Sequence, residues 1–225
     1  MLALLYDVHG NLLALEAVLE DASNAGADRF LLGGDYAVAG GWPLETVERL
    51  KQLDARWIRG NADRWLADAP DAPEPMQAVI EKAREALGDE LIAELAGLPE
   101  SADEGDVLYC HGSPESDMKS FLPDPSDLDA ELLNGVQARR VVFGHTHLAF
   151  QRTGPGGIEL VNPGSVGLPW DGDHRSAYAL VHDDGRVEQR RVEYDWRAAA
   201  AAVRERAGDL PARRLEQARF DVPVE

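Results

Sequence analysis

VVFGHTHLAF, residues 141–150, holds the pattern from which the fold can be worked out. Its first three apolar residues read as a short buried strand that stops at Gly144, and His145 and His147 follow directly. The chain has only six histidines in 225 residues, so two of them one residue apart at a strand end suggest a shared role. Imidazole is the commonest metal ligand among side chains. The stretch therefore predicts a strand whose carboxyl end carries two metal ligands.

Four other apolar runs end in the same way, with glycine close to residues that can bind a metal. The residues that follow these runs are Asp7-Val8-His9-Gly10, Gly33-Gly34-Asp35, Gly60-Asn61-Ala62-Asp63 and His111-Gly112. Ligands of α/β sheets lie outside the carboxyl ends of the strands, so we expect the five strand ends to bring one set of side chains together. The seven candidate ligands are Asp7, His9, Asp35, Asn61, His111, His145 and His147.

Seven ligands exceed the four of a tetrahedral zinc site and fit two ions about 3.5–4 Å apart. Each residue alone has a structural explanation, because an Asp at a strand end commonly forms a turn and a lone His is commonly a hydrogen-bonded polar residue. Four of the six histidines, however, fall within the five blocks. The set as a whole therefore favours a site for two metal ions.

Composition limits the kinds of partner. A formal net charge of -19 disfavours non-specific binding to nucleic acid, which needs Lys and Arg against phosphates, and adhesion to anionic membranes. Cys110 is the only cysteine, which excludes an intrachain disulfide and a thiolate zinc cluster. The apolar run at residues 2–6 is too short for a signal peptide, and no run approaches the roughly 18 residues of a membrane span. We expect a cytoplasmic protein, and the sequence leaves its oligomeric state open.

Apolar periodicity predicts strands alternating with helices up to Phe143 and a strand-rich half after His147. The predicted strands are 2–6, 30–32, 57–58, 107–110, 141–143, 148–152, 157–161, 177–182 and 187–194, and the predicted helices are 12–26, 43–53, 76–95 and 195–208. The Pro-rich stretch 68–75 reads as a linker. We therefore expect a single α/β domain over residues 1–225, with a helical cap-like insertion at about 64–100.

The five blocks, in this order, resemble the calcineurin-like metallophosphoesterases. The family pattern D-x-H, G-D, G-N-x-(D/E), H and G-H-x-H is matched from Asp7 to His147, about two thirds of the chain. The sequence N-P-G-S-V-G at 162–167 is also similar to the small phosphodiesterases of bacteria and archaea within that family. The resemblance implies an α/β fold that is a four-layer α/β/β/α sandwich of two mixed sheets.

The same resemblance implies a division of the ligands between two divalent cations. The first ion is held by Asp7, His9 and His147, the second by Asn61, His111 and His145, and both by the bridging Asp35. The mixed nitrogen and oxygen donors suit manganese, iron, zinc, nickel or cobalt. The implied reaction is hydrolysis of a phosphodiester, in which a metal-bound hydroxide attacks phosphorus in line. The implied substrate is a small phosphate ester or a nucleotide.

Three alternatives stay open on the sequence alone. A phosphomonoesterase acting on proteins or nucleotides would use the same ligands. A scaffold could keep the fold without activity, although scaffolds usually lose ligands and all seven are present here. A nuclease acting on long DNA is disfavoured by the net charge.

The sequence departs from the family pattern at Ala62, where many members have a histidine that is thought to protonate the leaving group. Asp63 and His174 are the candidate replacements for this catalytic acid. Asn11 can cap the following helix, and it is also a candidate for contact with the substrate phosphate because a helix N-terminus favours an anion. Arg59 is a further candidate for substrate binding, against the alternative of a salt bridge in its strand.

The substrate pocket is expected to be shaped by three segments, 36–42, 64–97 and 112–127. The candidates for stacking on a nucleotide base, with packing at the rim as the alternative, are Trp42, Trp65 and Trp170. Similar sequences often carry a basic residue just after the N-P-G-S-V-G loop, at a point where this chain has Trp170-Asp171. Arg175 is the candidate that would replace that charge.

Overall fold

Ten strands form two five-stranded sheets in the computed structural model, which describes residues 1–221. The strands are β1 Leu2–Leu5, β2 Arg29–Leu32, β3 Ala55–Trp57, β4 Ser101–Glu104, β5 Val107–Cys110, β6 Arg140–Val142, β7 Phe150–Thr153, β8 Glu159–Asn162, β9 Ser176–Val181 and β10 Val187–Val192. The first sheet has the order β10-β9-β1-β2-β3, and the second has the order β4-β5-β6-β8-β7. Each sheet is mixed. Strands β1, β2 and β3 are parallel in the first sheet and β5, β6 and β8 in the second, and the other two strands of each sheet join by antiparallel pairing.

Helices lie outside the sheets and at the ends of the strands. They are α1 Leu12–Asn24, α2 Pro43–Leu50, α3 Asn61–Ala67, α4 Gln77–Leu87, α5 Asp89–Ala96, α6 Leu128–Leu132, α7 Trp196–Arg206 and α8 Asp209–Gln217, with short 3-10 turns at Glu74–Met76 and Pro155–Gly157. Asn11 caps α1 by accepting a hydrogen bond from the backbone N–H of Ala14 at 3.2 Å. None of the helices within residues 1–221 is both long enough and apolar enough to cross a bilayer.

Side-chain alternation along the strands sets the layers. In β1, Leu2 and Leu4 belong to the apolar cluster between the sheets, while Ala3 and Leu5 belong to the cluster that includes α1, α2, α4, α7 and α8. In the second sheet, Val142 faces the first sheet, and Val141 packs with residues of α6 on the opposite face. The order of layers is therefore helix, sheet, sheet, helix, which confirms the four-layer α/β/β/α sandwich expected from the sequence.

The five strand ends that carry the candidate ligands come from both sheets. Strands β1, β2 and β3 are parallel neighbours in the first sheet, and β5 and β6 are parallel neighbours in the second. Tyr6 holds the two edges together, because its hydroxyl donates to the carbonyl of Val142 at 3.2 Å. The blocks that follow these strands therefore meet where the two sheets adjoin.

One helical prediction is wrong in its extent, and one helix was not predicted. A single helix over 76–95 is replaced by α4 and α5, because Gly88 takes a φ of 75° that ends one helix and starts the next. The helix predicted over 195–208 agrees with α7, but α8 was not predicted, and Gly208 with a φ of 117° leads into it. Glycine adopts both conformations without a Cβ penalty.

The strand predicted over 148–152 begins later than expected, at Phe150. The cause is the left-handed conformation of His147, with a φ of 57°, which turns the chain before a strand can start.

Strand β4 was not predicted, because only one of its four residues, Ala102, is buried. It pairs with β5 at the edge of the second sheet.

The segment predicted as a cap-like insertion, at about 64–100, contains α4 and α5. Four residues of α4, namely Val79, Ile80, Ala83 and Leu87, belong to the same apolar cluster as β1 and α1. The division of the chain into one domain with an inserted cap stays a prediction. The structure adds that these helices share the main core of the molecule.

Gly33 leaves room for the ring of Tyr6, so we expect Gly33→Ala to destabilise the fold strongly. A Cβ at this position would lie 2.1 Å from two ring carbons of Tyr6, which is fully buried between the sheets. Overpacking of this kind lowers the free energy of unfolding by about 3 kcal/mol or more. Urea unfolding followed by circular dichroism measures this change.

Gly105→Ala is the comparison for this prediction. A Cβ at Gly105 meets nothing within 4 Å, and only its φ of 63° opposes the substitution. We expect a loss of about 1 kcal/mol there. Equal losses for the two variants would contradict the packing described for Tyr6.

Candidate metal centre

Three of the seven predicted ligands form one compact group beside the end of β1. Nε2 of His9 lies 3.2 Å from Nε2 of His147, and the latter lies 3.5 Å from Oδ1 of Asp7. The third side of the triangle, from Nε2 of His9 to Oδ1 of Asp7, is 3.9 Å. One nitrogen or oxygen atom from each residue therefore faces a common point.

The remaining ligands form a second group around His111. Nε2 of His111 lies 2.9 Å from Oδ1 of Asn61 and 3.5 Å from Oδ2 of Asp35. Nδ1 of His145 lies 2.8 Å from the same amide oxygen of Asn61. All seven predicted ligands are thus brought to one place, in two adjoining groups.

Two carboxylates connect the groups. Oδ2 of Asp35 lies 3.7 Å from Nε2 of His9 and 3.5 Å from Nε2 of His111, so it reaches both sides. Oδ1 of Asp7 also lies 3.9 Å from Nε2 of His111. The other oxygen of each carboxylate is held by the backbone, since His145 N–H donates to Asp7 Oδ2 at 3.0 Å and Ala62 N–H donates to Asp35 Oδ1 at 2.7 Å.

The backbone at this site is strained. Among residues 1–221, seven non-glycine residues have a positive φ, and five of them are candidate ligands: Asp7 at 54°, His9 at 48°, Asp35 at 58°, His145 at 67° and His147 at 57°. Each left-handed non-glycine residue costs on the order of 1–3 kcal/mol, because Cβ crowds the neighbouring carbonyl. Strain concentrated in this way is typical of a functional site.

Three backbone carbonyls fix the orientation of the imidazoles. Nδ1 of His9 lies 2.8 Å from the carbonyl oxygen of Val38, and Nδ1 of His111 lies 2.8 Å from that of Gly33. Nδ1 of His147 contacts the carbonyl oxygen of Leu168 in the same way. With Nδ1–H donating to a carbonyl, the lone pair of Nε2 points into the site, which is the usual arrangement around a bound metal.

Burial favours neutral imidazoles at three positions. It lowers the pKa of His145 to about 4, and the nearby His111 adds to that effect. It also lowers the pKa of His9 and of His147. Neutral imidazole is the form that binds a metal ion, so these shifts favour metal binding at neutral pH.

The acidic groups show where positive charge is needed. Burial raises the pKa of Asp7 to about 8, and its Oδ1 accepts no hydrogen bond from residues 1–221. Against the effect of burial, the neighbouring Asp35 raises the pKa of His111 to about 10, and His111 in turn lowers the pKa of Asp35. A divalent cation would keep both carboxylates ionised and give the orphaned oxygen a partner. The donor set therefore fits such an ion.

Asp63 fixes the two loops that carry Asp35 and Asn61. Its fully buried carboxylate accepts backbone N–H groups from Asp35 at 2.8 Å, Tyr36 at 3.1 Å and Gly60 at 2.9 Å. Burial, together with the Asp35 charge, raises the pKa of Asp63 to about 7. These hydrogen bonds of the Asp63 carboxylate are all with backbone N–H groups, and Asp63 does not line the neighbouring cleft.

A cleft of about 920 Å³ borders the candidate metal ligands. This volume suits a small-molecule ligand, for which sites span roughly 300–1,000 Å³. All three segments expected to shape the pocket contribute to its lining. Segment 36–42 contributes Val38 and Ala39, segment 64–97 contributes Trp65, Pro73, Pro75 and Met76, and segment 112–127 contributes Met118 and Leu122. A fourth contribution comes from 210–221, at the end of the described chain.

Two residues predicted to contact substrate form hydrogen bonds with other parts of the chain. Asn11 uses its carbonyl oxygen to cap α1, and its amide donates to the carbonyl of Gly167 at 2.8 Å. Arg59 donates to Glu100 at 2.6 Å and to the carbonyl of Ala96 at 3.2 Å. Neither side chain lines the cleft, and a contact of either one with substrate stays a prediction.

The candidate acid His174 and the candidate base-stacking residues differ in whether they line the cleft. His174 stacks on Trp196 with ring centroids 4.2 Å apart and lies outside the cleft lining, as do Trp42 and Arg175. Trp65 and Trp170 do line the cleft. Trp170 stacks on His147, with ring centroids 3.6 Å apart and an interplanar angle of 10°.

Several functional contacts gave no signal in the sequence. The carbonyls that orient the histidines carry no side-chain identity, so no residue type marks them. Arg214 and Phe220 line the cleft, although they lie far along the chain from the five blocks.

Comparisons with known proteins agree with this geometry. The family model described as the calcineurin-like phosphoesterase superfamily domain matches residues 1–186, which include all seven candidate ligands. The phosphodiesterase YfcE of Escherichia coli is 30% identical over 194 residues, covering 79% of this chain and 85% of that protein. An uncharacterised protein of Methanocaldococcus jannaschii is 29% identical over 223 residues, covering 88% and 90% of the two chains.

A solved structure is similar over nearly the whole length. The crystal structure of a metallophosphoesterase from Sphaerobacter thermophilus aligns with a TM-score of 0.83 at 28% identity. The alignment covers 96% of this chain and 99% of that one. The two folds therefore correspond beyond the residues of the five blocks.

Replacing Asp63 by Asn tests its role in holding the loops. An amide offers one acceptor oxygen and places an NH₂ group against backbone N–H donors, so buried donors lose their partner. We expect the free energy of unfolding to fall by roughly 1–3 kcal/mol. Chemical unfolding in the presence of EDTA measures this loss apart from any effect of bound metal.

Asp209→Asn is the matched control for Asp63→Asn. Asp209 is an exposed carboxylate paired with Arg204 at 3.0 Å, so its replacement should leave stability nearly unchanged. An Asp63→Asn protein as stable as the control would contradict the loop-holding role.

Proposed function

This chain belongs to the calcineurin-like phosphoesterase superfamily, and on that premise we propose that it hydrolyses phosphodiesters with two divalent cations. The observation that carries the proposal is the convergence of seven metal-ligand side chains, in two groups joined by carboxylates, at the edge of one cleft. A protein kept only as a scaffold has no need to retain this set, or the strained backbone that presents it.

The residues divide between the two ions as their distances suggest. We assign Asp7, His9 and His147 to the first ion and Asn61, His111 and His145 to the second, with Asp35 shared. Nitrogen and oxygen donors of this kind suit manganese, iron, zinc, nickel or cobalt. When bound, two such cations lower the pKa of a water molecule and neutralise charge on the phosphoryl oxygens.

The chain itself supplies orientation and a sheltered surface. Backbone carbonyls hold the imidazoles, and backbone N–H groups hold one oxygen of Asp7 and one of Asp35, so the ligands are pre-organised before substrate arrives. Trp170 covers one face of His147 and limits the approach of solvent from that side. The substrate phosphate would approach the ligands from the cleft.

Position 62 offers no proton donor to the leaving group, because the side chain of Ala62 is a methyl group. Its backbone N–H is engaged by Asp35, and its methyl group lines the cleft. Asp63 and His174, the sequence candidates for this acid, lie outside that lining. We therefore propose that the preferred substrates are esters whose leaving groups need little protonation.

The shape of the cleft favours a diester over a monoester. A diester has an organic group on each side of phosphorus, and this cleft extends well beyond the ligands along an apolar wall that includes Met76, Met118 and Leu122. The similarity to a protein named as a phosphodiesterase supports the same choice. The net charge of -19 favours a small phosphate ester over long nucleic acid.

Hydrolysis of matched aryl esters tests the proposal. Manganese-loaded protein should hydrolyse bis(p-nitrophenyl) phosphate faster than p-nitrophenyl phosphate. The His145→Ala variant should lose roughly 100-fold or more in kcat/KM for the diester, because a bound Lewis acid contributes several kcal/mol to the transition state. His182→Ala is the control, since that histidine pairs with Glu188 at 2.8 Å and is absent from the cleft lining.

Each contrary outcome points to a different alternative. A preference for the monoester that still depends on His145 would keep the metal site and make the protein a phosphomonoesterase. Hydrolysis of neither ester would favour the scaffold. Equal loss in His145→Ala and His182→Ala would show that the reaction does not depend on this site.

A further inference from the structure

The turn that ends α8 brings a cation to the cleft. Ala218 takes a left-handed conformation, with a φ of 48°, and its carbonyl accepts the N–H of Gly172 at 3.0 Å. This contact joins the end of α8 to the loop that carries Trp170. As a result Arg214, in the last turn of α8, and Phe220, just beyond it, both line the cleft.

We infer that Arg214 binds a second phosphate group of the substrate, at the end of the cleft away from the proposed metal ions. The inference rests on the proposed function, because it places the reacting phosphate at the metal ligands. It narrows the substrate class to phosphodiesters that carry a further phosphate on one of their organic groups.

Arg214 differs from most arginines of this acidic chain in its contacts. Its guanidinium donates to the carbonyl of Phe220 at 3.1 Å and contacts the sulfur of Met76 at 4.0 Å, and within residues 1–221 no carboxylate accepts a hydrogen bond from it. By contrast, Arg64 pairs with Asp71 and Asp117, and the arginines at 190 and 204 each pair with two acids as well.

The surroundings of Arg214 are those of a binding group. The side chain is half-buried, and burial lowers its pKa, with the opposing charge of Asp221 too weak to reverse that effect. Its guanidinium carbon lies 4.2 Å from the ring centroid of Phe220 and 5.7 Å from that of Trp170. Rings on the guanidinium plane hold it in position and leave its N–H edge for a planar or tetrahedral anion.

Trp170 links this cation to the metal ligands. The same indole ring stacks on His147 and lies next to Arg214, so one ring separates the guanidinium from a candidate metal ligand. A substrate with one phosphate at the metals can therefore place a second group at Arg214.

The rest of the cleft is consistent with an anion at this end. Arg219 also lines it, which adds a second positive charge. Of the acids there, Asp171 is paired with Arg191, and Asp35 is a candidate metal ligand. Asp221 remains as the acid that would compete with the substrate phosphate. Phe220, with 51% of its surface exposed, offers an apolar face for the organic group between the phosphates.

Equilibrium binding tests the inference without requiring turnover. Isothermal titration calorimetry on manganese-loaded protein compares thymidine 5′-monophosphate and thymidine 5′-diphosphate with thymidine 3′,5′-bisphosphate, the ligand whose second phosphate is carried on its organic group. The bisphosphate should bind about tenfold more tightly than the monophosphate, as expected for a charge-assisted hydrogen bond. Arg214→Gln should abolish that advantage, and Arg214→Lys should keep part of it.

Arg204→Gln is the control, because it removes one positive charge from an exposed position that is absent from the cleft lining. It should keep the full advantage, and thermal unfolding of each variant checks that the fold is intact. Equal binding of the bisphosphate and the monophosphate by wild type, or an advantage that survives Arg214→Gln, would overturn the inference.

Hydrolysis of bis(p-nitrophenyl) phosphate by the same preparations separates the two proposals. Diester hydrolysis without a second-phosphate advantage would defeat the role of Arg214 alone. The advantage without diester hydrolysis would defeat the proposed function and keep an anion site at Arg214.

Discussion

The burial of two carboxylates, Asp7 and Asp35, among four imidazoles is the constraint on which the rest of the structure depends. Such a cluster is unfavourable in a dry interior unless positive charge compensates it, and one oxygen of Asp7 has no hydrogen-bond donor among the described residues. The chain nevertheless holds these groups within about 4 Å of one another, with several in left-handed conformations. A bound divalent cation would supply the positive charge that makes this arrangement favourable.

The sandwich supplies the rigidity that the cluster requires. Two sheets pack face to face, with the carboxyl ends of their parallel strands close together at the site, and Tyr6 fills the space that the glycine at position 33 leaves. Asp63 then ties the loop after β2 to the loop after β3 through three backbone hydrogen bonds. The side of the site that faces the substrate is built differently, from chain segments that are distant in sequence. Reactivity and recognition are therefore set by separate parts of the molecule.

The sequence predicted the strand ends and the candidate metal ligands, because local patterns mark them. Apolar runs followed by glycine and metal-ligand residues located the strand ends, because alternation and turn chemistry are local properties. The break at Gly88 and the late start of β7 after His147 were missed, since a left-handed residue is a tertiary requirement. For Asn11 and Arg59 the sequence left a helix cap and a salt bridge open beside substrate binding, and the structure shows both of those contacts. Arg214 carried no local pattern, because the fold alone brings α8 to the cleft.

Anomalous diffraction from a crystal of the manganese-loaded protein tests the central claim most directly. Data collected at the manganese absorption edge should contain two strong peaks about 3.5–4 Å apart, as in two-metal sites. One peak should lie beside His9 and His147, the other beside His111 and His145, with Asp35 between them. A single peak, or peaks only at surface carboxylates, would contradict the claim that these seven side chains form a site for two metal ions.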